Sequence, residues 1–178
     1  MERFNLNDYQ LSNDERIRKA QQKFLDGESL TVAEMLSLGV DKVEAIFCGY
    51  ECKPDFAYRG VDEKAIDAYL QQGEIVCDED YNPESGNAGV DWYLGGVGKK
   101  YANKGGYVIE CPAYKKYFVS TQISRAMDPR VKHLKSGSSP AVPINFCKIM
   151  KVSDMEKGIY QDIRGKEPDL NEDFENEL

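Results

Sequence analysis

The chain has 178 residues, with hydrophobic residues at 41%, charged residues at 30% and a formal net charge of −8. That is enough length and apolar content to bury one core without disulfide or metal staples, and too much to leave the chain disordered. No apolar run nears the roughly 20 residues of a membrane-spanning helix, and Met1-Glu2-Arg3-Phe4-Asn5 lacks the apolar centre of a signal peptide.

The five cysteines, Cys48, Cys52, Cys77, Cys111 and Cys147, are scattered and contain no CxxC, and His133 is the only histidine. Zinc is therefore not expected, and reduced thiols in a cytoplasmic setting, or in a host cytoplasm after delivery, are the simplest reading. Charge is unevenly spread. From Lys99 to Lys151 there are eleven basic and two acidic residues, Glu110 and Asp128, against twelve basic and twenty-nine acidic elsewhere. Two readings stay open: the halves neutralise each other in the fold, or segment 99–151 forms a basic surface for phosphate groups or nucleic acid.

In chain order, residues 1–10 read as an irregular leader. Ser12 and Glu15 fit a capping box, opening a helix whose Ile17, Ala20, Phe24 and Leu25 share a face up to Gly27. Thr31 and Glu34 repeat the device for a short helix to Gly39, and a third helix is expected from Asp41 to Cys48. Phe56–Val61 reads as a strand. Asp62 caps a following helix with Ile66, Tyr69 and Leu70 inward, and Gly73 ends it. A short strand is expected over Glu74–Cys77, then an acidic, turn-rich loop over 78–91 that is either solvated or a lid.

Trp92 to Ala102 is expected to be helical, although each of its three glycines costs about 1 kcal/mol there. Strands are expected over 106–111 and 117–121, a basic loop over 128–140, a last strand over Ile144–Val152 and an acidic, mobile tail from Gly165. The sum is an α+β fold: a helical N-terminal cap over 1–50, a core over 51–164 with a mixed or antiparallel sheet of four to six short strands, and the tail over 165–178.

Arg59 stands at the end of an apolar strand and before Gly60, where a guanidinium forks onto a diphosphate or a ribose, or else makes an ordinary salt bridge. Gly95 to Gly106 matches neither a Walker loop nor a GxGxxG fingerprint. Tyr93 and Tyr101 offer ring faces to a nicotinamide or a base, or else pack in the core. Ser120, Thr121 and Gln122 end a strand, where hydroxyls can position a ribose.

Taken in order, Tyr58-Arg59-Gly60, the helix to Gly73, the Gly/Tyr/Ala run and Tyr107-Val108-Ile109-Glu110 resemble the mono-ADP-ribosyltransferase family of toxins and phage modifying enzymes. The resemblance covers roughly residues 56–152. It implies NAD as substrate, held by Arg59 and Gly60, with Tyr93 and Tyr101 at the rings and Ser120, Thr121 and Gln122 in place of the family's Ser-Thr-Ser element, later in the chain than usual. It implies a protein or nucleic-acid target. The family's late glutamate has no counterpart, since no acid lies between Asp128 and Asp154, which leaves Glu110 as the strand-borne candidate beside Ser120. The alternative is a non-catalytic binding protein or inhibitor, phage-encoded or of the immunity type, that acts through its charged surface.

Overall fold

Alternation along Phe56–Val61 (β1) divides the molecule into two layers. Ala57, Arg59 and Val61 point to one side of the strand, and Phe56, Tyr58 and Gly60 to the other. The computed structural model describes residues 11–77, 89–99, 102, 105–121, 133–138 and 140–168. Within them β1 lies inside a six-stranded sheet with Val90–Leu94 (β3), Tyr107–Pro112 (β4), Val119–Thr121 (β5), His133–Ser136 (β6) and Lys148–Lys151 (β8), in the order β5-β6-β3-β1-β4-β8. All its pairings are antiparallel. Glu74–Ile75 (β2) and Val142–Pro143 (β7) form a separate antiparallel pair.

The front face carries the larger core. Ala57, Val61, Trp92, Ile109, Leu134 and Ile149 are buried there under Ile66 and Tyr69 of the helix Glu63–Gln72 (α4). Trp92 is wholly buried because its indole N–H donates to Ser136 Oγ at 2.9 Å across the sheet. On the back face, Tyr58, Val108 and Met150 pack against Val43, Ile46 and Phe47 around the helix Lys42–Ile46 (α3), and against Val152 and Met155 of the short helix Val152–Met155 (α6). The helices Glu15–Leu25 (α1) and Val32–Ser37 (α2) stack outward from α3. Ala20 is the one fully buried residue between them.

Caps set most helix ends. Thr31 and Glu34 form the expected capping box, and Asp41 and Asp62 accept the first amides of α3 and α4. The α1 cap is Asp14, not Ser12: Asp14 Oδ1 accepts from the Arg16 and Ile17 amides, and Ser12 Oγ instead accepts the Asp14 amide. Leu70 lies at the rim of the α4 core face, 36% exposed.

Three expectations are corrected in the second half. Residues 90–94 are strand rather than loop and helix, because Val90, Trp92 and Leu94 alternate into the front core; only Gly95–Gly98 (α5) makes a helical turn. Residues 133–136, expected as loop, form β6 between β3 and β5. Ile144–Phe146 forms a single 3-10 turn, so the last strand begins only at Lys148. Most of the expected acidic loop (78–88) and the tail from 169 lie outside the described residues.

The outer edge of β8 is sealed. Ile149 N–H donates to Asp162 Oδ2 at 2.8 Å, and Ile149 C=O accepts from Ile163 N–H at 2.9 Å. Arg164 holds the plug, donating to Asp162 through Nε and Nη2 and to the carbonyls of Ile144 and Cys147. Strand pairing with another chain is blocked along this stretch.

Burial favours the protonated form of Asp162. Hydrogen bonds from the Arg164 side chain and from the Ile149 and Arg164 amides outweigh it and hold the carboxyl below its ordinary range. A lowered folded pKa gives stability that is complete above the unfolded value of about 3.9 and is lost as pH falls through the folded value. Urea midpoints of wild type and Asp162→Asn should therefore differ most at neutral pH and converge as pH falls below about 4; a gap that widens in acid would contradict the assignment. A second prediction concerns Gly105, at φ +82°, where a Cβ would sit 2.4 Å from the Val61 carbonyl oxygen. Gly105→Ala should cost more than about 1 kcal/mol in urea unfolding, whereas a Cβ at Gly106 meets nothing within 4 Å and Gly106→Ala should be close to neutral.

Candidate functional site

Register decides which of the expected site residues meet. Tyr58 lies opposite both Glu110 and Tyr93, so all three occupy back-face positions. Arg59 lies opposite Ile109 and occupies the front face. The structure therefore does not bring Arg59 and Glu110 together; the sheet separates them.

Glu110 is 2% exposed and fully engaged. Its Oε2 accepts from Tyr50 Oη at 2.5 Å and Tyr58 Oη at 2.9 Å, and Lys53 Nζ stands 3.6 Å from Oε1. The Lys53 amide in turn donates to Tyr58 Oη at 2.8 Å. Lys148 Nζ lies 5.0 Å from the centre of the Tyr50 ring, and Tyr160 packs against that ring and accepts the Gly49 amide. Burial first, and then the Glu110 charge, push the Tyr50 and Tyr58 phenols well above their ordinary range. Burial likewise lifts the Cys52 thiol to about 11 against the pull of Lys99 and Tyr58. The phenols thus stay protonated and donate to Glu110 at any working pH. The group is a fixed network of donors around one carboxylate, closed to a substrate unless the segment 47–53 moves.

Arg59 has a different setting. Its Nη1 donates to the Asp91 carbonyl at 2.9 Å, while its Nε is buried with no hydrogen-bond partner among the described residues. The side chain lines a recess of about 220 Å³ with Gly60, Val61, Asp62, Ala65 and Gly105. The Asp62 carboxylate is committed to the Ala65 amide at 2.8 Å. At Gly105 this recess adjoins a trough of about 450 Å³ whose lining includes Lys42, Glu63, Tyr107, Lys151 and Glu156. Lys42 and Glu156 face each other at 3.8 Å. Alone, the smaller recess falls below the roughly 300–1,000 Å³ of pockets that enclose a whole small molecule; the two share Gly105, with Arg59 in the wall of one and Lys42, Tyr107 and Lys151 in the wall of the other.

Of the other expected residues, Gly60 lines the Arg59 recess. Tyr93 is half-buried on the back face. Ser120 is exposed on β5, and Thr121 pairs with His133 in register, both several strands away from Arg59. Tyr101 and Gln122 lie outside the described residues. Tyr107, Gly105 and Lys151 were not singled out in the sequence. Gly105 carried a signal in the Gly105-Gly106 pair ahead of a strong strand, whereas Tyr107 read as an ordinary strand residue.

Several described cations of the basic segment are neutralised within the fold, Lys99 by Glu44 and the nearly buried Lys135 by Asp91. Among the described residues no helix is long and apolar enough to cross a membrane, and no cluster of side chains is arranged to hold a metal ion. No protein-family model matches the chain, and comparison with curated proteins and with solved structures finds no match.

The network makes a testable demand. Tyr58→Phe removes one donor from a buried carboxylate and leaves the Lys53 amide without its acceptor. Urea unfolding should show a loss of about 1–3 kcal/mol, and an unchanged midpoint would show that Glu110 does not depend on this phenol.

Proposed function

We propose that the chain is an ADP-ribosyltransferase-like protein that holds NAD along the two recesses meeting at Gly105, with Arg59 gripping the diphosphate. The observation that carries this reading is the guanidinium of Arg59, which lines a recess beside two glycines while its buried Nε has no partner among the described residues. A buried donor without an acceptor is costly, and a phosphate oxygen would satisfy it with a charge-assisted bond. Gly60 and Gly105 contribute main chain to the wall of that recess, where a ligand can approach the backbone. Tyr107 and Lys151 in the trough offer a ring face and a second cation to the rest of the dinucleotide.

In this reading the acid that stabilises a developing ribosyl cation is not Glu110, which stands on the other face. Three carboxylate residues line the recesses. Asp62 caps α4 and Glu156 faces Lys42, which leaves Glu63 as the carboxylate available to a ligand. Its charge would lower the barrier as nicotinamide leaves, an electrostatic contribution of the kind worth about 3–4 kcal/mol per group.

A second reading is a non-catalytic binding protein on the same scaffold. What favours it is the Glu110 network, which commits the one strand-borne acid of the basic segment to structure.

Nicotinamide release from NAD separates the two. The first reading expects release, and labelling of a macromolecular target, that Arg59→Ala reduces by about 100-fold or more while the urea midpoint stays near that of wild type. A protein that neither binds NAD nor releases nicotinamide would end that reading and leave the binding module.

A further inference from the structure

Two thiols unconnected with the recesses face each other across the sheet. The β4–β8 ladder runs through Ile109↔Ile149 and ends at Glu110↔Lys148; continued one step, the same register sets Cys111 against Cys147, whose backbone is still extended and whose thiol meets that of Cys111. Both cysteines are wholly buried, and both belong to the front core. Among the described residues the sulfurs meet each other and two weak acceptors, the carbonyls of Pro112 at 3.5 Å and Pro143 at 3.7 Å.

The backbone shows which type of antiparallel position this is. Ile149 turns its N–H and C=O outward, to Asp162 and Ile163. Two residues earlier Cys147 does the same: its N–H donates to Ile144 C=O at 3.1 Å and its C=O accepts from Arg164 Nη2 at 2.6 Å. Cys111 and Cys147 therefore occupy a non-hydrogen-bonded pair, where opposed Cα atoms approach to about 4.5 Å. That separation falls inside the roughly 4.4–6.8 Å that a disulfide spans, and the shared face directs both Cβ atoms the same way.

We propose that Cys111 and Cys147 form a cross-strand disulfide when the chain folds in the presence of a disulfide oxidant, tying edge strand β8 to β4. One cysteine thiolate attacks a sulfur of glutathione disulfide, giving a mixed disulfide and one glutathione thiolate. The second cysteine thiolate then attacks the protein-side sulfur and expels the second glutathione. Two protein thiols are oxidised by two electrons, one oxidant disulfide is reduced to two thiols, and the two cysteine protons end on the released glutathiones.

The finished fold resists this chemistry. Burial, and then the neighbouring Cys147 thiol, push the Cys111 thiol well above its ordinary value, so little thiolate forms and oxidant has no access. The bond closes while the ladder assembles. Where no oxidant is present both thiols remain reduced core residues.

The test unfolds the reduced full chain and refolds it in glutathione buffers from reducing to oxidising. Samples are alkylated, weighed and peptide-mapped. A parallel sample carries Cys48→Ser, Cys52→Ser and Cys77→Ser together. In oxidising buffer the expected main species in both lacks two alkyl groups and yields one linked peptide joining Cys111 and Cys147. Native reduced protein in the same buffer should form the link at least about tenfold more slowly. Folded protein with both cysteines alkylated at every buffer poise, or carrying glutathione on each, or with either one paired to Cys48, Cys52 or Cys77, overturns the proposal. If refolding fails, the reduced wild type is held in urea near its unfolding midpoint, where the ladder opens and recloses, and oxidised there with glutathione disulfide: the same linked peptide supports the proposal and its absence refutes it.

Discussion

One buried carboxylate organises the back of the molecule. Glu110 is buried on β4, between β1 and the edge strand β8, and its carboxylate is tolerable there because two phenols and a lysine converge on it. Tyr50 and Lys53 belong to the segment between α3 and β1, so satisfying Glu110 also fastens the N-terminal helices to the sheet. Tyr58 closes the loop by accepting the Lys53 amide, which fixes the path of the chain into β1. Removing any one partner exposes the remaining charge to an apolar surround, so the network is stable as a whole rather than bond by bond.

That constraint reaches the front face through strand parity. With Tyr58 directed backward onto Glu110, Arg59 is directed forward, beside the N-terminal turn of α4. Gly105 then folds against the β1–α4 turn closely enough that no side chain fits, and the small recess and the larger trough meet at that point. The back face thus acts as anchor, and Arg59, Tyr107 and Lys151 line the recesses at the rim of β1 and β4. Asp162 and Arg164 play a matching part at the β8 edge, occupying backbone groups of Ile149 and Cys147 that would otherwise be open to another strand.

Strong local signals were legible in the sequence. The aspartate and threonine caps, the Gly73 stop and the apolar runs of 56–61 and 106–111 each depend on neighbours in the chain, and they emerge nearly as read. The α1 cap was read one candidate too early: Ser12 was expected, and Asp14 accepts the first amides instead. Strands β3 and β6 were hidden. Val90-Asp91-Trp92-Tyr93-Leu94 runs into a glycine cluster, and His133-Leu134-Lys135-Ser136 buries a lysine and a serine whose partners, Asp91 and Trp92, come from the neighbouring strand. Arg59 does line a recess, but its parity with Glu110 depends on the register between two strands, which reading each strand by itself does not reveal. A slip of one residue would have placed the two on the same face.

The central claim is that Arg59 is the ligand-facing cation of this fold while Glu110 is structural. Nitrogen-15 NMR of the Arg59 Nε–H during NAD titration tests it most directly. The account predicts a saturable shift of that resonance together with the Gly60 and Gly105 amides, and little change at Tyr50, Tyr58 or Glu110. An unmoved Arg59 resonance, or shifts centred on the Glu110 network, would contradict it.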